Sequence, residues 1–270
     1  MMPSVYEIGL TSLENEGQRM DKIHFGGREV RRVWKEGVVI FDSAAAPTEY
    51  ALDFDGVEDY AGTATRVASM EPAGDFTAAV RFRADGFSAE KYPHMFANFA
   101  PMPGIFWAIF LYNTTSTPSI YVEINTGSGR THLIGPAVAL DTWYNATMWR
   151  SGTSLYLRLN GTTYGPLTVD GAAIANSDMR PHLGHYRNGG DANGAFEGLI
   201  SRAAYWDGLI DAASLAAQEA AIDAHFAGSV LTGSPDHAWA INEGTGSTIA
   251  DAGSVGGVTM NITGATWVEV

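Results

Sequence analysis

Carboxylates gather early in the chain at Asp53, Asp55, Glu58 and Asp59, within the run Ala51-Leu-Asp-Phe-Asp-Gly-Val-Glu-Asp-Tyr60. A hard cation such as Ca²⁺ is bound by several carboxylate and carbonyl oxygens, so this loop is a candidate metal site. The same residues equally suit a polar turn in which Asp55-Gly56 shapes the backbone and an aspartate caps amides. Another set, Trp149, Tyr156, Arg158, Tyr121 and Asn145, falls on the strand phase opposite core-facing apolar residues. Flat aromatic faces for C–H surfaces, with planar donors and acceptors for hydroxyls, are what glycan recognition needs. The alternative is that Trp149 and Tyr156 pack under a loop or against a helix. A loop from His182 to Gly194 adds Tyr186, Arg187, Asn188, Asp191 and Asn193 among glycines, and loops of this kind carry function on sandwich scaffolds or serve as plain connections. His182 and His185 have no identifiable third metal ligand.

Catalytic signatures are missing. The sequence has no Gly-x-Ser-x-Gly elbow, no Walker loop, no His-Glu-x-x-His and no Gly-x-Gly-x-x-Gly after a strand. A glycosidase needs two carboxylates facing across a cleft, and Glu123 stands alone on its strand. A protein that is not an enzyme is expected.

The elements that must position these residues are strands. Phe76, Ala78, Val80 and Phe82 alternate with Thr77 and Arg81; Ile120, Val122 and Ile124 with Tyr121 and Glu123; Leu155, Leu157 and Leu159 with Tyr156 and Arg158. The run Ile105 to Tyr112 is apolar on both faces, as expected of a strand covered on each side. Turn signals at Asp55-Gly56, Asp85-Gly86, Gly127-Ser-Gly129, Ser151-Gly152, Asn160-Gly161 and Gly189-Gly190 punctuate them. That rhythm predicts an all-β antiparallel sandwich. One alanine-rich helix is expected at 211–227, with Asp211 or Ser214 as N-cap, Leu215, Ile222 and Phe226 on one stripe and Gly228 as the stop. Strands return over 236–270.

The chain has 270 residues, of which 46% are hydrophobic and 17% charged, enough to bury a sizeable core. A net charge of −14 argues against nucleic acid and anionic lipid as partners. With no cysteine, disulfides and thiolate chemistry are excluded. No apolar window reaches the length of a membrane span, and Met1 to Leu10 lacks the pattern of a secretory signal. The small-residue stretch Ser43-Ala-Ala-Ala-Pro-Thr48 divides an N-terminal module, residues 1–43, from residues 49–270. In the module, Ile23-His-Phe25 and Val30-Arg-Arg-Val-Trp34 flank Gly26-Gly27 as a hairpin.

Five segments resemble a known pattern in the right order: the opening Ala51–Tyr60, Asp75-Phe-Thr-Ala-Ala-Val-Arg-Phe82, Asp141-Thr-Trp-Tyr-Asn-Ala-Thr-Met148, Leu157-Arg-Leu-Asn-Gly161 and Phe196-Glu-Gly-Leu-Ile200. They are similar to the laminin G-like or concanavalin A-like jelly roll found in many bacterial and phage surface proteins, and the likeness extends over residues 49–270. Ser201 stands where that family usually has Asp, and Arg158 where it usually has Tyr. The tail, Trp239 to Asp251 with Ile262 to Trp267, resembles a segment that accompanies such jelly rolls in phage structural proteins. The N-terminal Phe25-Gly-Gly-Arg-Glu-Val-Arg-Arg-Val-Trp34 resembles leaders of tailed-phage or gene-transfer-agent proteins.

The resemblance implies an antiparallel jelly-roll β-sandwich and a virion surface protein, a fibre or spike, that binds host surface polysaccharide. Residues 1–43 would attach it to other virion proteins, and weak single sites imply a homo-oligomer. The rival expectations are a purely structural decoration protein whose jelly roll packs against neighbouring subunits, and a hydrolase or lyase with an unrecognised site.

Overall fold

The computed structural model describes residues 49–87, 92–100, 104–112, 118–186, 194–227 and 233–270, together with the backbone strands 23–25, 28–35 and 38–43. The chain divides into two units, Met1–Thr48 and Glu49–Val270. In the first, β1 (Ile23–Phe25), β2 (Arg28–Lys35) and β3 (Val38–Ser43) form an antiparallel sheet in that order. The third strand is not expected from the sequence, because its apolar Val38-Val-Ile-Phe41 run is too short to show a period.

The second unit contains, in chain order, β4 (Tyr50–Asp55), β5 (Tyr60–Gly62), β6 (Phe76–Ala84), β7 (His94–Phe99), β8 (Phe106–Tyr112), β9 (Ser119–Asn125) and β10 (Arg130–Ala137). It continues with β11 (Trp143–Ser151), β12 (Ser154–Leu159), β13 (Thr162–Thr168), β14 (Arg180–Leu183), β15 (Glu197–Trp206), helix α1 (Leu215–Ala227), β16 (His237–Trp239), β17 (Thr248–Ile249), β18 (Met260–Thr263) and β19 (Thr266–Glu269). Two antiparallel sheets result. One runs β10-β9-β8-β7-β14-β5-β18-β17; the other runs β13-β12-β11-β6-β15-β4-β19, with β16 also paired to β15. The second unit is thus an all-β jelly-roll sandwich with one helix.

Period-two alternation builds the core between the sheets. Phe76, Val80 and Phe82 of β6, Leu155 and Leu157 of β12, and Ile120, Val122 and Ile124 of β9 all enter it. Trp107 stacks on Tyr205 at 5.6 Å, and Phe96 meets Trp107 edge-on at 4.9 Å. Each such side chain contributes about 1.5–3 kcal/mol on leaving water. The tail closes both sheets: β18 pairs with β5, and β19 with β4.

Helix α1 begins at Leu215, four residues later than the sequence suggests. Asp211 instead closes a local turn by accepting the Ala213 N–H, and Ser214 is the residue whose Oγ caps the helix, at the Ala217 N–H. Its buried stripe is Gln218, Ile222 and His225, while Leu215 is exposed. Gly228 and Gly189-Gly190 lie outside the described residues. Among the described residues no helix is long and apolar enough to cross a membrane.

Candidate functional site

Strand register defines the outward rows. On the β6 sheet, one row is Tyr156, Trp149, Thr77 and Trp206, and the next is Arg158, Thr147, Ala79 and Ala204. The second row is small in its middle, and α1 lies over it: Phe226 and Ile210 pack against Ala79, Ala204 and Trp206. Gln218 Nε2 donates to Thr77 Oγ1 at 3.1 Å, which in turn donates to the Gly208 carbonyl at 2.9 Å. Arg158 ties the helix to the strand, with Nε and Nη2 on the two Asp223 oxygens at 2.8 and 2.5 Å and Nη1 on Thr163 Oγ1. That fork raises the pKa of Arg158 and lowers that of Asp223.

The expected single surface of Trp149, Tyr156, Arg158, Tyr121 and Asn145 therefore does not form. Trp149 is only 1% exposed and stacks on Tyr156 at 4.8 Å and 5°, so it offers no face to a ligand. Tyr121 belongs to the opposite sheet. Asn145 and Arg158 do meet in a cleft of about 360 Å³ beside α1, with Asn160, Ile222, Asp223 and Phe226. The guanidinium there is already engaged by Asp223 and Thr163.

The outer face of the β8 sheet differs. Its central row is His132, Glu123, Ala108, Ala97 and His182, with Phe106 and Phe99 on one flank and Phe110 and His94 on the other. Tyr186, from the loop after β14, contacts both His94 (5.2 Å) and Phe99 (5.0 Å), which flank Ala97, and so crosses this trough. Toward the sheet edge follows a run of rings: Tyr92 to Tyr112 at 5.3 Å, Tyr112 to Tyr121 at 5.0 Å, Tyr121 to His132 at 5.6 Å. Tyr92 is 40% exposed, Tyr112 and Tyr121 are half-buried, and His132 is exposed. Beside them Arg130 Nε donates to Glu123 Oε1 at 2.5 Å, while its guanidinium stands 5.1 Å from the Phe106 ring. Burial raises the pKa of the Glu123 carboxyl, against the lowering effect of Arg130.

Two buried histidines support this face. His182 lies flat across Gly62, where a Cβ would come within 2.4 Å of its ring, so that strand position requires glycine. Its Nδ1 donates to the Arg180 carbonyl at 2.9 Å. Burial lowers its pKa to about 4, and that of His94 to about 3.

Two of the four early carboxylates, Asp55 and Asp59, bind backbone amides of the turn. Asp55 Oδ1 accepts the Val57 N–H at 2.8 Å, and Asp59 Oδ2 accepts the Asp55 N–H at 2.9 Å. Asp59 is pressed so close to Gly264, at φ +77°, that a Cβ there would meet its carboxylate. Asp53 points to the outer face in the row of Leu199 and Thr266, and Glu58 is exposed. Burial raises the pKa of both Asp53 and Asp59. Among the described residues, no three carboxylate or imidazole side chains are grouped to hold a metal ion, so the four carboxylates are not gathered into one cluster. Of the loop candidates only Tyr186 can be placed; Arg187, Asn188, Asp191 and Asn193 lie outside the described residues. Sequence reasoning missed Tyr92, Tyr112, His132 and Arg130. Alternation within β8 and β9 marks Tyr112 with Tyr121, but the pairing that adds Tyr92 and His132 depends on register.

A two-sheet antiparallel jelly roll places the second unit in the concanavalin A-like fold class. The family model for the concanavalin A-like lectin/glucanases superfamily matches residues 55–216, and the chain belongs to that superfamily. A heptameric SAP-like pentraxin from Limulus polyphemus superposes with a TM-score of 0.54 at 16% identity, over 82% of this chain and 98% of its own. A candidate carbohydrate binding protein from Bacteroides ovatus ATCC 8483 gives a TM-score of 0.60 at 15% identity, over 86% of this chain and 63% of its own. This chain thus spans a little under two thirds of the Bacteroides protein. No curated protein sequence matches it.

Proposed function

We propose that the second unit binds carbohydrate on the outer face of the β8 sheet, without cleaving glycosidic bonds, and that the protein acts at a virion surface on host polysaccharide. The observation that carries the reading is the run Tyr92, Tyr112, Tyr121 and His132 beside the Glu123–Arg130 pair. Ring faces stack on sugar C–H surfaces, and a carboxylate and a guanidinium exchange hydrogen bonds with hydroxyls. All but Tyr92 sit on strands, which hold them more precisely than loops do. The superfamily supports binding of this chemical class. The virion setting rests on the resemblance of the N-terminal segment and the tail to phage and gene-transfer-agent proteins, with residues 1–43 as the attachment. Weak single sites would be multiplied by several copies on one particle.

The test is a glycan array probed with the full chain displayed multivalently, alongside a Tyr112→Ala/Tyr121→Ala double variant. Binding by the folded wild type that falls about tenfold or more in the variant is expected. No binding by the wild type, or undiminished binding by the variant, would instead favour a structural decoration role. Mass spectrometry of purified particles checks the location.

A further inference from the structure

Three residues far apart in the chain line up beside the tail. Ser69 sits in the 3-10 turn Ala68–Met70, His237 opens β16, and Asp251 follows β17. Ser69 Oγ is 2.7 Å from His237 Nε2, and His237 Nδ1 is 2.7 Å from Asp251 Oδ2. The carboxylate is fixed by the backbone: Oδ1 accepts the N–H groups of Ala238 and Gly253, each at 2.9 Å, and Oδ2 that of Val258 at 3.2 Å. An ionised carboxylate only accepts, so in the neutral imidazole Nδ1 carries the proton and Nε2 is left as the acceptor for the serine hydroxyl. His237 is fully buried, between the rings of Tyr205 and Trp239, while Ser69 is partly exposed. Nucleophile, base and orienting acid thus stand in hydrogen-bonded order, with the partly exposed nucleophile on the solvent side of the base.

We propose that Ser69 is a base-activated nucleophile that accepts acyl groups from short-chain esters. Ser69 Oγ bonds to the ester carbonyl carbon while its proton passes to His237 Nε2. The bond from that carbon to the alkoxy oxygen breaks, and the proton from Nε2 goes to the departing alcohol. Water then attacks the acyl-serine, giving its proton to Nε2, and the carboxylic acid leaves as the serine is restored. Asp251 is a positioning residue: it holds the imidazole in the required tautomer. A small acyl group such as acetyl fits best, because the approach is through the partly exposed Ser69, and alcohol and water must come to Nε2 beside that same oxygen. The centre uses no residue of the aromatic face, so it stands or falls apart from carbohydrate binding.

The test is covalent labelling of the full chain with a fluorophosphonate probe, the adduct being mapped by peptide mass spectrometry. A single adduct on Ser69 is expected, formed about 10²-fold or more faster than in the guanidinium-unfolded chain, the usual gain from a positioned base. Para-nitrophenyl acetate should release about one equivalent of nitrophenol per chain in a burst that Ser69→Ala loses while keeping its thermal midpoint. Asp251→Asn, if folded by circular dichroism, should label more slowly with Ser69 and His237 intact, which a merely structural hydrogen bond would not produce. An unlabelled Ser69 in the folded wild type, or labelling no faster than in the unfolded chain, overturns the proposal whatever the variants do.

Discussion

The two outer faces of the sandwich solve one packing problem in opposite ways. Each has a row of small residues flanked by large ones, Thr147, Ala79 and Ala204 on the β6 sheet, Ala108 and Ala97 on the β8 sheet. The first trough takes a whole helix, held by apolar contact and by the Arg158–Asp223 fork. The second takes the Tyr186 ring from a loop, and its aromatic rows run on to edge strand β10, where Ile134 (52% exposed) meets solvent. A roofed face contributes stability, whereas an aromatic face left open at one edge can contribute recognition.

Acid should act first on the β8 face. His94 and His182, neutral in the fold because burial lowers their pKa to about 3 and about 4, gain protons on unfolding at any pH below about 6.5. The unfolded state binds more protons in that window, so stability is intact above it and falls as pH drops toward 4. At about 1.4 kcal/mol per unit and site, the two together reach about 6 kcal/mol by pH 4 as an upper bound. Glu123, raised by burial, works in the other direction and offsets part of this. Urea unfolding from pH 7 to pH 4 should show the fall, with a shallower slope in His182→Asn. A flat profile would mean these imidazoles are reached by solvent.

On the roofed face, Trp149→Ala should cost about 3–5 kcal/mol in chemical unfolding, because it empties a site beneath packed structure. The same variant should leave any glycan binding of the folded chain unchanged. Lost binding with little lost stability would reverse the assignment of the two faces.

How much of this is legible in the sequence can be seen in particular residues. Phe76, Val80, Val122, Leu155 and Leu157 all enter the core that their alternation predicts, because period two is a local property of the strand. The same alternation sends Trp149 and Tyr121 outward, and both are outward. It says nothing of which sheet a strand joins or what lies over it, so the sequence groups them together though they stand on opposite faces. The sequence misplaces the helix start because Asp211 and Ser214 are both good caps, and only Ser214 meets a helical N–H. The Asp55-Gly56 turn is legible, whereas the close packing of Asp59 on Gly264, more than two hundred residues further on, is not. Ser69 and His237 carry no local motif, and Asp251 is marked only as the end of the tail segment.

Asp223→Ala tests the seal rather than the filling. It removes both fork bonds and leaves Arg158, whose side chain is 10% exposed, with Thr163 and a longer approach to Glu219 at 3.7 Å. Asp223 itself is half-exposed, so a loss of about 1 kcal/mol is expected in urea unfolding rather than the larger cost of an orphaned buried ion. A loss of several kcal/mol would show that the fork, not the apolar stripe, holds α1 down.

The smallest expected change in stability belongs to the aromatic edge, and it is the sharpest test of the comparison. Tyr112 and Tyr121 are half-buried and lean on each other, so Tyr121→Ala removes ring contacts worth about 0.5–1.5 kcal/mol beyond area, partly returned as Phe110 and His132 close up. Tyr121→Phe keeps the ring and drops only the hydroxyl, and should leave unfolding within about 0.5 kcal/mol of wild type. If the face recognises sugars by stacking, Phe preserves binding on the array and Ala loses it. If the hydroxyl does the work, both lose it, and if the ring merely packs, Ala costs stability while neither variant alters binding. Only the first outcome matches a face whose large rings are kept for a ligand.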